Sequence, residues 1–338
     1  MNITVLMPFD EQSRVKFSNA LRGADITYAY DHTLSYMQKQ SFDRDKYGGA
    51  LCGADIVIGQ PPPDMLPDMR RLMLLQLSMA GTEPYSRPGV VPPNVRLCSA
   101  SGAYGAAISE HMLACALMLI KKLHLYRDNM ARGAWLDRGD VLSLSDMTIA
   151  CIGLGDIGCH FAWLCSLMGA HIIGVRRAGL DMPDYVDELY HADSIDAVIS
   201  RADITALSMP DTPQTAGMFS AQRISRMKCG SILINVGRGN AVDTDALAAA
   251  LSSGQLSGAA IDVSNPEPLP SCHPLWRCEN TIITPHISGF YHLRKTYDDI
   301  VDIALKNALA VYENGGGAQL ISEVDRATGY RVTQRYSK

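Results

Sequence analysis

The chain has 338 residues, 47% of them apolar and 19% charged, with a net charge of -5 and a pI near 6.0. That length exceeds one ordinary core, so two domains are expected, and the apolar share excludes a disordered chain. The acidic balance argues against nucleic-acid binding, which needs basic surface.

Taken in order, Ile3 to Met7 reads as a first strand rather than a secretory leader, since no basic start precedes it. Further buried parallel strands are expected at Asp25 to Tyr30, Asp55 to Gly59, Met73 to Ser78 and Val95 to Cys98. Pro61-Pro62-Pro63 and Pro92-Pro93 punctuate the loops between them. A long helix should run from Ala106 to about Arg132, apolar on nearly all sides through Ile120. Its longest apolar run, Met112 to Ile120, stops at Lys121-Lys122, well short of the roughly 20 residues of a membrane span. A second strand–helix series starts at Met147 to Ile152 and continues at His171 to Val175, Ile204 to Ser208, Ser231 to Val236, Gly258 to Val263 and Thr281 to Thr284. Between them, Asp243 should cap a helix reaching Ser252. Leu293 to Asn314 reads as a final helix, ended by Gly315-Gly316-Gly317, that packs back on the first domain. The fold class expected is α/β, two Rossmann-like domains with parallel sheets. Residues 1–102 with 291–338 form a discontinuous substrate domain, and residues 103–290 a doubly wound dinucleotide-binding domain.

Nine cysteines, an odd number without paired spacing, read as reduced thiols of a cytoplasmic protein. Cys272 and Cys278 flank His273, but zinc would want a fourth ligand, so two ordinary thiols and no metal are expected.

Gly153-Leu154-Gly155-Asp156-Ile157-Gly158 follows an apolar strand and opens a helix to about Met168. In that context Gly153 allows the tight turn, Gly155 admits a pyrophosphate, and Gly158 lets helix and strand pack closely. The amides at the helix start would face the phosphates. About 20 residues beyond the loop, where an NAD enzyme carries a carboxylate for the ribose diol, stand Arg176 and Arg177. Two guanidinium groups favour a 2′-phosphate, hence NADP(H) over NAD(H), although stacking on adenine or simple solvation would also account for them.

Reducing a carbonyl by hydride requires a proton for its oxygen. Of nine histidines, His286 is the best donor, held in a Pro-His-x-x-Gly turn just past a short strand. Glu267, between Pro266 and Pro268, could orient that imidazole and favour its charged form. Arg238, after the strand ending at Val236, could hold a substrate carboxylate through two parallel hydrogen bonds. Singly, each has an ordinary reading: a satisfied buried histidine, a turn-capping carboxylate, an interface ion pair. As a trio at successive strand ends they point to catalysis. His111, in the apolar helix, reads as core or interface; His160, His171 and His191 fall within or beside cofactor-domain elements with no carboxylate pattern expected to orient them, and His292 has no evident orienting partner.

These motifs resemble the D-isomer-specific 2-hydroxyacid dehydrogenases over nearly the whole length. The resemblance implies an oxidoreductase in which Arg238 binds substrate and Glu267 partners the catalytic His286. It also implies that Val236, Gly237, Met209, Pro210 and Thr215 line the cofactor, and that Asp262 meets the nicotinamide amide. Ser78-Met79-Ala80-Gly81 resembles the loop whose amides, at Ala80 and Gly81, bind the substrate carboxylate. Arg176, with His273-Pro274-Leu275-Trp276, is similar to the family's NADP-using glyoxylate and hydroxypyruvate reductases. Ala80-Gly81-Thr82-Glu83 departs from the commoner Val-Gly-x-Asp form, which leaves the substrate open, with Met79, Tyr104, Phe290 and Tyr291 as candidate pocket residues. A homodimer acting on a small 2-keto or 2-hydroxy acid is implied. The alternatives are an NAD-linked enzyme working oxidatively and a cofactor-sensing corepressor.

Overall fold

Short β-branched runs between helices build two all-parallel sheets, each in its own compact unit. The computed structural model describes residues 1–30, 42–177, 179, 181–289, 293–326, 328 and 330–332. One unit comprises Met1–Tyr104 and Tyr291–Lys338, the other Gly105–Phe290.

The first unit opens with β1 (Asn2–Val5), α1 (Glu11–Ala20), β2 (Asp25–Tyr28), α2 (Arg44–Cys52), β3 (Ile56–Ile58), β4 (Leu74–Gln76) and β5 (Arg96–Cys98). The strand order is β2-β1-β3-β4-β5, with Ile3 of β1 opposite both Ile26 and Ile56. Asp10 and Asp43 begin α1 and α2 by accepting the amides of Ser13 (2.8 Å) and Lys46 (3.0 Å). Leu51, Val57, Leu66, Leu75 and Leu97 lie in one buried cluster of this unit.

The second unit starts with α3 (Gly105–Ile120) and α4 (Leu123–Ala131). One helix to Arg132 was expected, but it breaks at the two lysines. Lys122 adopts a left-handed backbone (φ 57°), and the two ammonium groups donate to Leu142 O (2.6 Å) and Arg138 O (2.7 Å). Those bonds hold the next segment against the break. The chain continues through β6 (Thr148–Ile152), α5 (Asp156–Leu167), β7 (His171–Arg176), β8 (Glu188–His191), α6 (Ile195–Ile199), β9 (Ile204–Leu207), α7 (Ala221–Ile224), β10 (Ser231–Asn235), α8 (Thr244–Ser252), β11 (Leu256–Ile261) and β12 (Thr281–Ile283). Asp243 caps α8 as expected, accepting from Ala246 N at 3.0 Å. Strand β8 was not foreseen: Glu-Leu-Tyr-His is a half-exposed edge strand without the β-branched run that marks the others.

The order of this seven-stranded sheet is β12-β11-β10-β9-β6-β7-β8. The chain moves outward from β6 through β7 and β8, then returns to β9 on the other side of β6. Strand order therefore reverses between β6 and β9, where open α/β sheets bind ligands at their carboxyl edge. Val198, Ile199, Leu247 and Leu251 cover one face, packed on Ile173, Leu207 and Leu233. Among the described residues, no helix is long and apolar enough to cross a membrane.

The last long helix, α9 (Arg294–Asn314), belongs to the first unit. Its fully buried Asn307 donates to Gln76 Oε1 (2.6 Å) on β4 and to Ile321 O (2.9 Å), and accepts from Ile321 N (2.7 Å). Gln76 in turn donates to Ser99 O at 3.1 Å. Every polar atom of both amide groups is used, which fixes their orientation and ties α9 to the sheet. Asn307→Ala should cost about 2 kcal/mol or more in urea unfolding by leaving Gln76 Oε1 unpaired in the core and Ile321 without its side-chain partner.

Candidate active site

The loop after β6 has the backbone a phosphate cradle needs. Gly153 sits at φ +99°, a conformation that other residues rarely adopt. A β-carbon on Gly158 would collide with Gly153 O, so only glycine lets α5 begin this close to the strand. Ser208, just past β9, donates to Gly153 O at 2.8 Å and clamps the loop from across the switch point. Among the described residues no side chain caps α5, and a β-carbon at Gly155 would touch nothing within 4 Å. Uncapped helix amides behind an open approach suit an anionic phosphate. The carboxylate of Asp156, in the same turn, lies 3.4 Å from His160 Nδ1. These features fit a dinucleotide.

Met209 is buried between the loops that follow β6 and β10: a β-carbon on Gly237 would come within 2.8 Å of its carbonyl oxygen. Pro210 O accepts the Thr215 hydroxyl at 2.7 Å, and Thr212 N donates to that hydroxyl at 2.9 Å. Thr215, expected along the cofactor, is thus itself buried as the clamp of its own loop. Arg176 ends β7, and its guanidinium reaches toward the glycine loop, donating to Leu154 O (3.4 Å) and Asp181 O (3.0 Å). Arg177 follows with its side chain exposed and its carbonyl facing His191 Nε2 at 2.8 Å.

Arg238, Glu267 and His286 leave the carboxyl ends of three adjacent strands, β10, β11 and β12. Behind Val236, the side chain of Asn235 accepts from Gly237 N (3.1 Å) and donates to Arg238 O (3.0 Å). That Asx turn shapes the arginine loop. Arg238 is partly buried, and its Nη1 donates to Gly237 O at 2.8 Å. Glu267 and His286 meet: the carboxylate Oε2 is 3.0 Å from imidazole Nδ1, while Oε1 accepts Ser264 N at 3.0 Å. The imidazole is about half exposed, leaving its Nε2 side for a ligand. His286 takes a left-handed backbone, φ 55°.

Asp262, buried at 3% exposure, accepts at Oδ1 from Thr284 Oγ1 (2.6 Å) and Ile287 N (2.9 Å). Its Oδ2 accepts from Ser288 N (3.0 Å) and Ser288 Oγ (2.5 Å). Asp262, expected to meet the nicotinamide amide, thus also gathers the donors of the histidine turn. Thr284 Oγ1 also lies 3.4 Å from His111 Nε2 on α3, and Cys115 Sγ lies 3.6 Å from the same nitrogen. Burial, with the Asp262 charge adding, pushes the Cys115 thiol up to about 11, so it stays protonated.

In the first unit, Ser78 O accepts the Tyr104 hydroxyl (2.6 Å), Ser78 Oγ accepts Gln60 Nε2 (3.1 Å), and Met79 O accepts Ala100 N (2.9 Å). Those bonds fix the turn that presents the half-buried Ala80 and Gly81. Tyr104 is therefore spent on holding this loop; Phe290, Tyr291 and His292 lie outside the described residues. Sequence reading passed over Ser208, Asn235 and Ser288. Only Asn235 carried a local signal, an asparagine directly before a turn.

Residues 113–288 match the family model "D-isomer specific 2-hydroxyacid dehydrogenase, NAD binding domain". An uncharacterized protein of Corynebacterium melassecola is 30% identical over 283 residues, covering 82% of this chain and 90% of its own. The crystal structure of a D-isomer specific 2-hydroxyacid dehydrogenase family protein from Aeromonas salmonicida superposes with a TM-score of 0.81 at 26% identity, covering 96% of this chain and 98% of the other. An NADPH-dependent glyoxylate/hydroxypyruvate reductase from Sinorhizobium meliloti, solved with NADP and sulfate, superposes at 0.78 with 23% identity, covering 97% and 99%. The β6 switch point, its glycine loop and the family match across that same sheet agree: this chain belongs to the D-isomer-specific 2-hydroxyacid dehydrogenases, NAD(P)-dependent oxidoreductases of the CH–OH group.

Proposed function

We propose that the protein reduces small 2-keto acids of the glyoxylate and hydroxypyruvate class to D-2-hydroxy acids, with NADPH as the reductant. The observation that carries this reading is the 3.0 Å pair of His286 Nδ1 and Glu267 Oε2, one strand from the Arg238 loop. When bound, the dinucleotide supplies a hydride to the keto carbon. The chain's own residues do the rest. The Arg238 guanidinium holds the substrate carboxylate and stabilises charge on the reacting oxygen. Acting as the acid, His286 with a proton on each nitrogen would give its Nε2 proton to that oxygen while Nδ1–H stays on Glu267. Glu267 is itself held by Ser264 N, so the imidazole is oriented before substrate arrives. In the first unit, Ala80 and Gly81 offer backbone amides suited to a carboxylate.

The dinucleotide would lie on the amides of Gly155, Asp156, Ile157 and Gly158, beside Gly153, Met209, Pro210, Val236 and Gly237. Arg176 and Arg177 would take the 2′-phosphate. The Arg176 guanidinium already borders the glycine loop at Leu154 O, which favours NADPH over NADH. The S. meliloti reductase, described with NADP, accords with that choice.

The exposed Leu123, Met130, Trp135, Leu136, Val141 and Leu142 gather on α4 and the segment after it. So much clustered apolar surface is suited to a second copy of the chain, and we read the protein as a cytoplasmic homodimer.

Three measurements test this reading. With a panel of keto acids followed by NADPH absorbance, glyoxylate or hydroxypyruvate should lead, and His286→Gln should lose roughly 10²–10⁴-fold in kcat while still binding NADPH. If the panel leaves NADPH unconsumed, or the variant keeps its rate, the mechanism fails. Arg176→Asp should invert the NADPH to NADH ratio of kcat/KM; an unchanged ratio would remove this arginine from the cofactor choice. In light scattering the protein should have twice its chain mass, and Trp135→Glu with Leu136→Glu should give monomers.

A further inference from the structure

We infer that residues 318–326 form a strap that positions the substrate loop from Ser78 to Gly81, with Ser322 as the positioning residue at its centre. The inference rests on the reading that Ala80 and Gly81 hold the substrate carboxylate. Strand β5 ends the five-stranded sheet, and an edge strand leaves a row of backbone groups to be paired. The strap lies along that edge. Cys98 and Glu323 form an antiparallel bridge, and Ser99 N donates to Ser322 O at 3.0 Å. The Ser322 hydroxyl then donates to Ser101 O at 2.6 Å. One serine thus grips the chain on both sides of Ala100.

Ala100 is the residue that meets the substrate loop. Its amide donates to Met79 O at 2.9 Å, directly before Ala80. Leu77 N donates to Cys98 O at 2.8 Å, and the Tyr104 hydroxyl to Ser78 O at 2.6 Å. The turn after β5 therefore carries the substrate loop on one side and the strap on the other. Covering an edge needs only backbone pairing. The side-chain bond from Ser322 reaches past the strand, to the turn that holds Met79.

Ser322 is fixed for this task. It is 2% exposed, and its backbone sits at φ 54°, a left-handed conformation that persists in such a residue only where the surroundings over-determine it. Before it, Ile321 is held at N (2.7 Å) and O (2.9 Å) by Asn307 of α9. After it, the two carboxylate oxygens of Glu323 accept from the Arg96 guanidinium at 2.7 and 2.6 Å. Both ends are tied as well: Arg96 donates to Ala318 O, and Arg326 to the carbonyls of Val91, Pro92 and Pro93. Backbone amides bind a carboxylate well only when they are held in place beforehand, and the strap supplies that hold.

Ser322→Ala tests this in the full chain, with Glu323→Gln as a second variant that weakens the Arg96 fork and keeps the serine. Hydrogen exchange is followed by mass spectrometry on peptides spanning residues 74–81 and 97–103, which carry the Leu77 and Ala100 amides, with a peptide over β1 as the control. The KM and kcat for glyoxylate and the Kd for NADPH are read beside it. Ser322→Ala should speed exchange in the first two peptides roughly tenfold, the worth of about one hydrogen bond, and leave β1 protected. The glyoxylate KM should rise by roughly tenfold while kcat stays within about twofold and the NADPH Kd is unchanged. Glu323→Gln should move the same quantities by less, which decides the matter if Ser322→Ala does not fold. Unmoved exchange in the two peptides, or a loss of protection shared equally by β1, would overturn the strap as a positioning element. Faster exchange beside an unmoved KM would instead remove Ala80 and Gly81 from substrate binding, overturning that reading while the strap stands.

Discussion

Parallelism of the second sheet is the constraint from which the site follows. Since all seven strands run one way, every loop after a strand leaves at the same edge. The glycine loop after β6, Met209 after β9, Arg238 after β10, Asp262 and Glu267 after β11 and His286 after β12 are thereby collected along one border, though they span well over a hundred residues of sequence. The reversal of order between β6 and β9 then opens a crevice at that border, because the loops on its two sides are drawn in opposite directions. A mixed sheet carrying the same motifs would scatter them over two edges.

Much of this was legible in the sequence for a definite reason. Gly153 and Gly158 announce a close approach of backbones, and a collision between a β-carbon on Gly158 and Gly153 O is what excludes other residues there. Glu267 and His286 could be paired because rigid turns flank both, and they meet at 3.0 Å. The unread parts have a common physical cause: they are short-range decisions made by side chains with no periodic signature. Lys122 leaves the helix because ammonium groups find carbonyls in the segment that follows. Strand β8 forms at an edge, where pairing with β7 on one side suffices and no apolar alternation is required. His111 looked like core because its neighbours on α3 are apolar, while its partner Thr284 lies far along the chain.

Glycine and aspartate solve the same problem here by opposite means. At the cofactor loop the backbone must bend sharply and admit a ligand, so the residue with no side chain supplies the unusual conformation. At the histidine turn the side chain cannot be given up, since the imidazole is what pairs with Glu267. The unfavourable φ of His286 must then be sustained from outside, and a buried carboxylate with two oxygens is a compact device for gathering several N–H and O–H donors at one point. Burial of that charge is tolerable because hydrogen-bond donors meet it.

The same division shows in how far each device reaches. A glycine loop constrains little beyond its own few residues, and at the end of β7 Arg176 turns to Leu154 and Asp181 while the Arg177 carbonyl faces His191. The histidine turn is different. Asp262 comes from β11, Thr284 and Ser288 flank the histidine beyond β12, and His111 comes from α3, so the position of one imidazole is shared among three elements. The histidine that meets Glu267 is thus bordered by contacts from all three. The loop from Ser78 to Gly81 in the first unit is shaped separately, by bonds to Gln60, Ala100 and Tyr104.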